Sequence, residues 1–170
     1  MKIIKVTTIA FVIGILLLSC SKTTTETFDA KFTGEYVRIY TGVEVIDCAD
    51  EYECRVVVDF EGTASQFGKV KGTFNFCACG PDGKYAPTDS YFVSSTGDSL
   101  FFTCHGNVIE GRLDDHPEFV TSYWRDPFVI TGGTGRFEGA TGGGTTDDYN
   151  SSEDPNSHHH WMGTITLKKE

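Results

Sequence analysis

Histidines 158 to 160 stand in the run "HHHWMG", close behind the acidic stretch "DDYNSSEDPN". Imidazole beside carboxylate is metal-binding chemistry. In an extended segment successive side chains point to opposite faces, so His158 and His160 would share one side and His159 the other. At most two of the three can meet one ion, and the sequence assigns them no further ligand. Upstream, Asp148, Asn150, Ser152 and Asp154 occupy alternate positions, as the first ligands of a calcium loop do. Glu153 stands where that loop turns on glycine and His159 where it needs a bidentate glutamate, and no helical pattern flanks it. His158, His160, Asp148, Asn150 and Asp154 are therefore the residues that could hold a metal. The better reading of the segment is a polar loop running into an edge strand. No cofactor is expected.

Sulfur offers the second chemistry. Beyond Cys20 the chain has Cys48, Cys54, Cys77, Cys79 and Cys104. "DCADEYEC" places Cys48 and Cys54 across a short acidic loop, where a local disulfide is expected in an oxidising compartment. One further bridge would leave one thiol among Cys77, Cys79 and Cys104. Side-chain parity puts Cys77 and Cys79 with Lys71 and Asn75, and Cys104 with Leu100 and Phe102, while cross-strand bridging needs a shared face. A thiolate site of Cys77, Cys79 and Cys104 with His105 matches no zinc spacing. His105, Glu110 and His116 are scattered, and no nucleophile elbow or Ser-His-Asp order stands out. No catalytic residue is assigned.

"FVITGGTGRFEGATGGGT", residues 128 to 145, imitates a nucleotide loop. It fails at Arg136 and Glu138, where a dinucleotide fingerprint needs glycine for the backbone to approach the pyrophosphate. No helix pattern follows, and Gly144 precedes Thr145 instead of the lysine a phosphate loop requires. The glycines read instead as a hairpin: "PFVIT" and "GRFEGATG" become antiparallel strands joined at Gly132, Gly133, Thr134 and Gly135. Gly139 and Gly142 to Gly144 then allow the bends of a curved sheet.

The elements around these residues are strands. Cys54, Val56, Val58 and Phe60 alternate with Arg55, Val57, Asp59 and Glu61; Val70, Phe74, Phe76 and Ala78 alternate with Lys69, Lys71, Thr73 and Asn75. Further strands are expected at 34–40, 90–95, 99–105, 118–123, 126–131, 136–140 and 160–167. Turns fall at Gly80-Pro81-Asp82-Gly83, Thr96-Gly97-Asp98 and Asp114-Asp115-His116-Pro117. Eight or nine short strands at this spacing suggest an all-β meander closing into a barrel. Trp124, Trp161 and 13 Phe could line a cavity in it or fill it.

Ahead of these strands, Lys2 and Lys5 precede an apolar run from Val6 to Leu18 that ends "LLSC". About 13 residues suit a secretory signal better than a bilayer span. The small residue before Cys20 is the bacterial lipobox pattern, in which Cys20 carries the lipid and begins the mature chain. The expected organisation is a signal peptide at 1–19, a lipidated cysteine and flexible tether at 20–30, and a single barrel domain at 31–170. Ser21 in place of aspartate favours the outer membrane, facing the periplasm. Without Lys2 and Lys5, twelve basic residues face 24 acidic ones. No basic face exists for nucleic acid.

"TGGTGRFEGATGGGT", with the final strand "HHHWMGTITL", resembles the signature hairpin of the allene oxide cyclase and dirigent-protein barrel superfamily, particularly its bacterial members. "EGTASQFGKVKGTFNF" and "GDSLFFTCHG" resemble its neighbouring strands, so the likeness covers roughly 61 to 167. It implies an eight-stranded antiparallel, up-and-down, calycin-like barrel. It transfers no functional residue, because the shared motif is structural glycine and a fold does not specify an activity. The sequence reading is a membrane-anchored envelope lipoprotein whose barrel binds an apolar small molecule or a protein partner. A cyclase-like isomerase acting on an apolar substrate is the alternative. An open cavity holding a carboxylate or thiol would favour the enzyme, and a filled interior would favour the interaction role.

Overall fold

The computed structural model describes residues 22–45 and 47–169. Cys20 and the apolar leader lie outside the described residues. Among the described residues there is no α-helix. Eleven strands form one sheet: β1 (Thr23–Thr41), β2 (Cys54–Ala64), β3 (Gly68–Ala78), β4 (Lys84–Ser94), β5 (Ser99–Asn107), β6 (Ile109–Glu110), β7 (Val120–Trp124), β8 (Pro127–Gly133), β9 (Thr141–Thr146), β10 (Asp148–Ser151) and β11 (Ser157–Lys168). β1 pairs with both β2 and β11, which closes the sheet. Short breaks at Val108, at Arg125-Asp126 and at Asp147 divide long strands into β5–β6, β7–β8 and β9–β10. The molecule is an antiparallel barrel of eight long strands, as the residue patterns and the resemblance both imply.

The alternation read in β2 and β3 holds. Val56, Val58, Phe60, Val70 and Phe74 are buried, while Asp59, Glu61, Lys69 and Lys71 are exposed. Four expectations are corrected. The segment expected as a tether is strand from Thr23 onward, paired with β11 from Thr23 opposite Lys168 to Gly34 opposite Ser157. Phe28, Ala30 and Phe32 alternate inward there, and the threonines before them are good strand formers. The barrel domain therefore begins well before residue 31. Residues 158–160 are likewise no loop at an edge: β11 pairs with β1, β9 and β10.

The glycine hairpin exists, but its turn lies later than expected. Ile130 pairs with Gly142 and Val129 with Gly143. Gly132 and Gly133 continue β8 against β5, and residues 135–137, expected in a strand, form a 3-10 turn. Gly135 and Gly139 hold positive φ (57° and 68°) on either side of Phe137. In β9 the glycines permit close approach, since a Cβ on Gly142 would lie 2.1 Å from the carbonyl oxygen of Thr164.

The cysteines pair differently from the local bridge expected. Cys48 bonds Cys77 and Cys54 bonds Cys79. Cys54 points into the barrel, 1 % exposed, and Cys77 points out toward Cys48. Cys54 sits opposite Ala78 in the ladder, and positive φ at Cys79 (58°) departs from strand geometry at the end of β3. Cys104 is a free, buried thiol.

Candidate functional site

The two ends of the barrel are built differently. The starts of β1, β3, β5 and β9 and the end of β11 converge on a packed base. There Phe67 and Phe137 stack at 4.0 Å between ring centres, with Phe28, Leu100, Ala140 and Ile165 at 1 % exposure or less. Rings continue up the axis, Phe92 to Phe102 at 4.8 Å and Phe102 to Trp161 at 4.8 Å. Above Trp161 the filling stops. A cavity of about 70 Å³ opens at the mouth, with Tyr36, Phe74, Phe76, Tyr85, Trp124 and Trp161 as aromatic walls and Thr88, Cys104, Thr146, Asp148, Ser157 and His159 as its polar part.

Strand parity places the polar set. Ser157, His159 and Trp161 are alternate residues of β11 and all face inward. Asp148 opens β10, beside them in the sheet. Its carboxylate is 1 % exposed and accepts from the backbone N–H of His160 at 3.1 Å and from Trp161 Nε1 at 3.1 Å. The His159 ring lies flat on Phe32, 4.5 Å centre to centre at 10°. Its Nε2 lies 2.8 Å from Ser157 Oγ, and its Nδ1 lies 3.0 Å from Asp148 Oδ2. That second approach is close but out of line, so Nδ1 has no hydrogen-bond partner. Gly34 makes room for the group, because a Cβ there would sit 2.5 Å from Ser157 Oγ.

Around the rim, the Tyr36 hydroxyl donates to Asn150 Oδ1 at 2.9 Å, and Asn150 Nδ2 donates to Ser122 Oγ at 2.9 Å. Tyr85 donates to Asp126 Oδ2 at 2.9 Å. Burial raises the pKa of Tyr36, Tyr85 and Asp126. Burial, followed by the negative charges of Asp148 and Asp126, pushes the Cys104 thiol up to about 12. The two disulfides tie Cys48, in the loop before β2, and Cys54, which opens β2, to the mouth end of β3.

Of the five residues named as possible metal ligands, the structure pairs the side chains of His158 and Asp154 and sends the other three elsewhere. His158 pairs with Asp154 at 2.9 Å and His160 with Asp29 at 3.3 Å; Asn150 serves the rim and Asp148 the interior. Among the described residues no three His, Cys, Asp or Glu side chains form a cluster fit for a metal. The sequence reading missed the Asp148–His159–Ser157 group. The parity that turned His159 away from its neighbours was the available signal.

No family model matches the chain, and no curated protein matches it. Among solved structures, the pterocarpan synthase dirigent protein GePTS1 aligns over 94 % of this chain and 100 % of its own, at 14 % identity and a TM-score of 0.56. The class is thus defined by fold: this chain forms the dirigent-type eight-stranded barrel. A protein of unknown function from Clostridium acetobutylicum aligns over 85 % of this chain and 99 % of its own, at 14 % identity and a TM-score of 0.47.

Proposed function

We propose that the protein is a lipid-anchored envelope protein whose barrel binds a small molecule in its mouth. The observation that carries this reading is the cavity itself. The same barrel is packed solid at its base yet leaves an aromatic-walled space at the mouth, with a few polar groups converging on it, as small-molecule sites do. The anchor reading rests on the lipobox at Cys20. The Lys22 carbonyl accepts from Lys169 N–H at 2.7 Å at the base, so a lipid two residues earlier would set the base toward the membrane and the mouth away from it.

Native mass spectrometry of protein released gently from envelope membranes tests the binding role. The expected result is a non-protein adduct that is lost when Val108→Trp lays an indole over the mouth. Protein that carries no adduct and whose tryptophan fluorescence ignores a panel of small amphiphiles would overturn it. Palmitate labelling lost in Cys20→Ser tests the anchor separately. Isomerisation of an apolar substrate in the same cavity is the second reading, favoured by the buried Asp148 carboxylate beside His159.

A further inference from the structure

The barrel wall is laced less tightly between β3 and β4 than between β2 and β3. The β3–β4 ladder runs only over Val70 opposite Ser94 and Lys71 opposite Val93. β2 and β3 pair without a break from Cys54 opposite Ala78 to Ala64 opposite Gly68. The cause is in the sequence of β4. Pro87 has no N–H to give a neighbouring strand, and such a residue belongs at a sheet edge or a bulge. On one side of Pro87 the register with β5 shifts between Tyr85 and Thr88; on the other, the ladder with β3 has already ended. The two strands are rejoined near the mouth by a tight turn, where the Gly80 N–H donates to the Lys84 carbonyl at 2.9 Å. Between these fixed ends lies a slit, with residues 72–78 on one side and 84–92 on the other.

Side chains hold the slit where the ladder does not. The inward Ser90 hydroxyl, on a residue 6 % exposed, donates to the Thr73 carbonyl at 2.7 Å and so stands in for a main-chain donor. Phe76 of β3 leans on Tyr85 of β4, 5.8 Å between ring centres. The Thr88 hydroxyl turns back to its own strand, to the Ala86 carbonyl at 2.9 Å. The slit also adjoins the cavity: Phe74 and Phe76 on one lip and Tyr85 and Thr88 on the other belong to its lining. Cys104, opposite Thr88 in the β4–β5 ladder, lines the same space. Segments with few main-chain bonds are the ones that open locally at low free energy.

We propose that the β3–β4 slit is a side entrance through which small molecules reach the cavity, the strands parting as the Ser90 hydroxyl and the Phe76 ring let go. Parting them there breaks no ladder, whereas parting β2 from β3 would break a full one. The lips are aromatic, so an apolar solute meets Phe74, Phe76 and Tyr85 on the way in. The purpose of the entrance rests on the reading of the cavity as a ligand site, but its existence is tested without a ligand. Cys104 is the reporter, because it is a free thiol in the cavity lining.

Iodoacetamide labelling of Cys104 in the full-length protein, read by peptide mass at one pH, compares three variants with the wild type. Asn75→Cys with Asp89→Cys clamps the slit, since extending the register of Lys71 and Val93 sets these exposed residues opposite each other. Glu61→Cys with Lys71→Cys is a control clamp across a laddered pair of β2 and β3. Ser90→Ala removes the hydroxyl bond. The slit clamp should slow labelling at least tenfold, the control clamp should change it less than twofold, and Ser90→Ala should speed it at least threefold. A closed slit clamp without effect would send the reagent over the rim and overturn the entrance. Equal slowing by both clamps would mean that labelling follows general loosening of the barrel, which overturns it as well. Should the slit clamp fail to close, an unchanged rate in Ser90→Ala overturns the entrance by itself. None of these results touches the ligand reading, whose own test is the adduct carried from the membrane.

Discussion

Base and mouth of this barrel are opposite ends of the same strands with the same alternation, yet only one end is packed. At the base the inward positions hold Phe28, Phe67, Leu100, Phe137 and Ile165, none more than 5 % exposed. At the mouth the same strands turn Tyr36, Tyr85, Asp148, Ser157 and His159 inward. Apolar side chains gain by filling space at crystal-like density, whereas polar ones need directed partners and leave gaps when those are fixed. Stability therefore belongs mainly to the base and binding space to the mouth. Phe137→Ala should break the comparison hardest, costing about 3–5 kcal/mol as a buried ring is replaced by a void. Val108→Ala at the mouth should cost about 1 kcal/mol or less. Urea unfolding measures both, and equal losses would mean that the ends are energetically alike.

Cys104 sharpens the contrast from inside the cavity. Its thiol is buried and pushed up to about 12, first by desolvation and then by Asp148 and Asp126. A raised thiol pKa keeps the group neutral at pH 8, and the thiolate is the reactive form. Against an ordinary cysteine the folded protein should react with iodoacetamide roughly a thousandfold more slowly, from thiolate fraction alone. Alkylation at pH 8 with mass detection, in buffer and then in denaturant, checks this. Fast labelling of the folded protein would show that the mouth is open to water down to Cys104.

The base was more legible in the sequence than the mouth, and the reason is physical. Period-2 burial along β2 and β3 is a local pattern, so Phe60 and Val70 toward the base could be placed without knowing their partners. The glycines of 132–144 marked a hairpin, though the plug at Phe137 depends on Phe67 from another turn. The long N-terminal strand was hidden because threonine is equally at home in a tether, and only pairing with β11 distinguishes the two. Disulfide partners and the Asp148–His159 approach are set by register between distant strands, which no local spacing encodes. His159 was within reach: parity turned it inward, but only the closed barrel gives inward a meaning.

Asp126 gives the smallest expected effect, and its sign separates mouth from surface. Its carboxylate packs on Gly106, where a Cβ would lie 1.9 Å from Asp126 Cγ, and accepts from Tyr85. Burial raises its pKa above the ordinary value, although the Tyr85 and backbone Asn107 hydrogen bonds pull the other way. A carboxyl raised on folding binds its proton more tightly in the folded state, so it adds stability as pH falls through the interval between the unfolded and folded values. Surface Asp115 and Asp154 run opposite: Arg125 lowers the first and the backbone N–H of Asn156 the second, so their contributions fade in acid. Asp126→Asn keeps an acceptor for Tyr85 and removes the titration. Relative to this variant, the wild-type protein should gain slightly in urea stability between pH 7 and pH 4. Wild-type stability that stays constant or falls in acid, relative to the variant, would place Asp126 with the solvated surface and not with the buried groups beside the mouth.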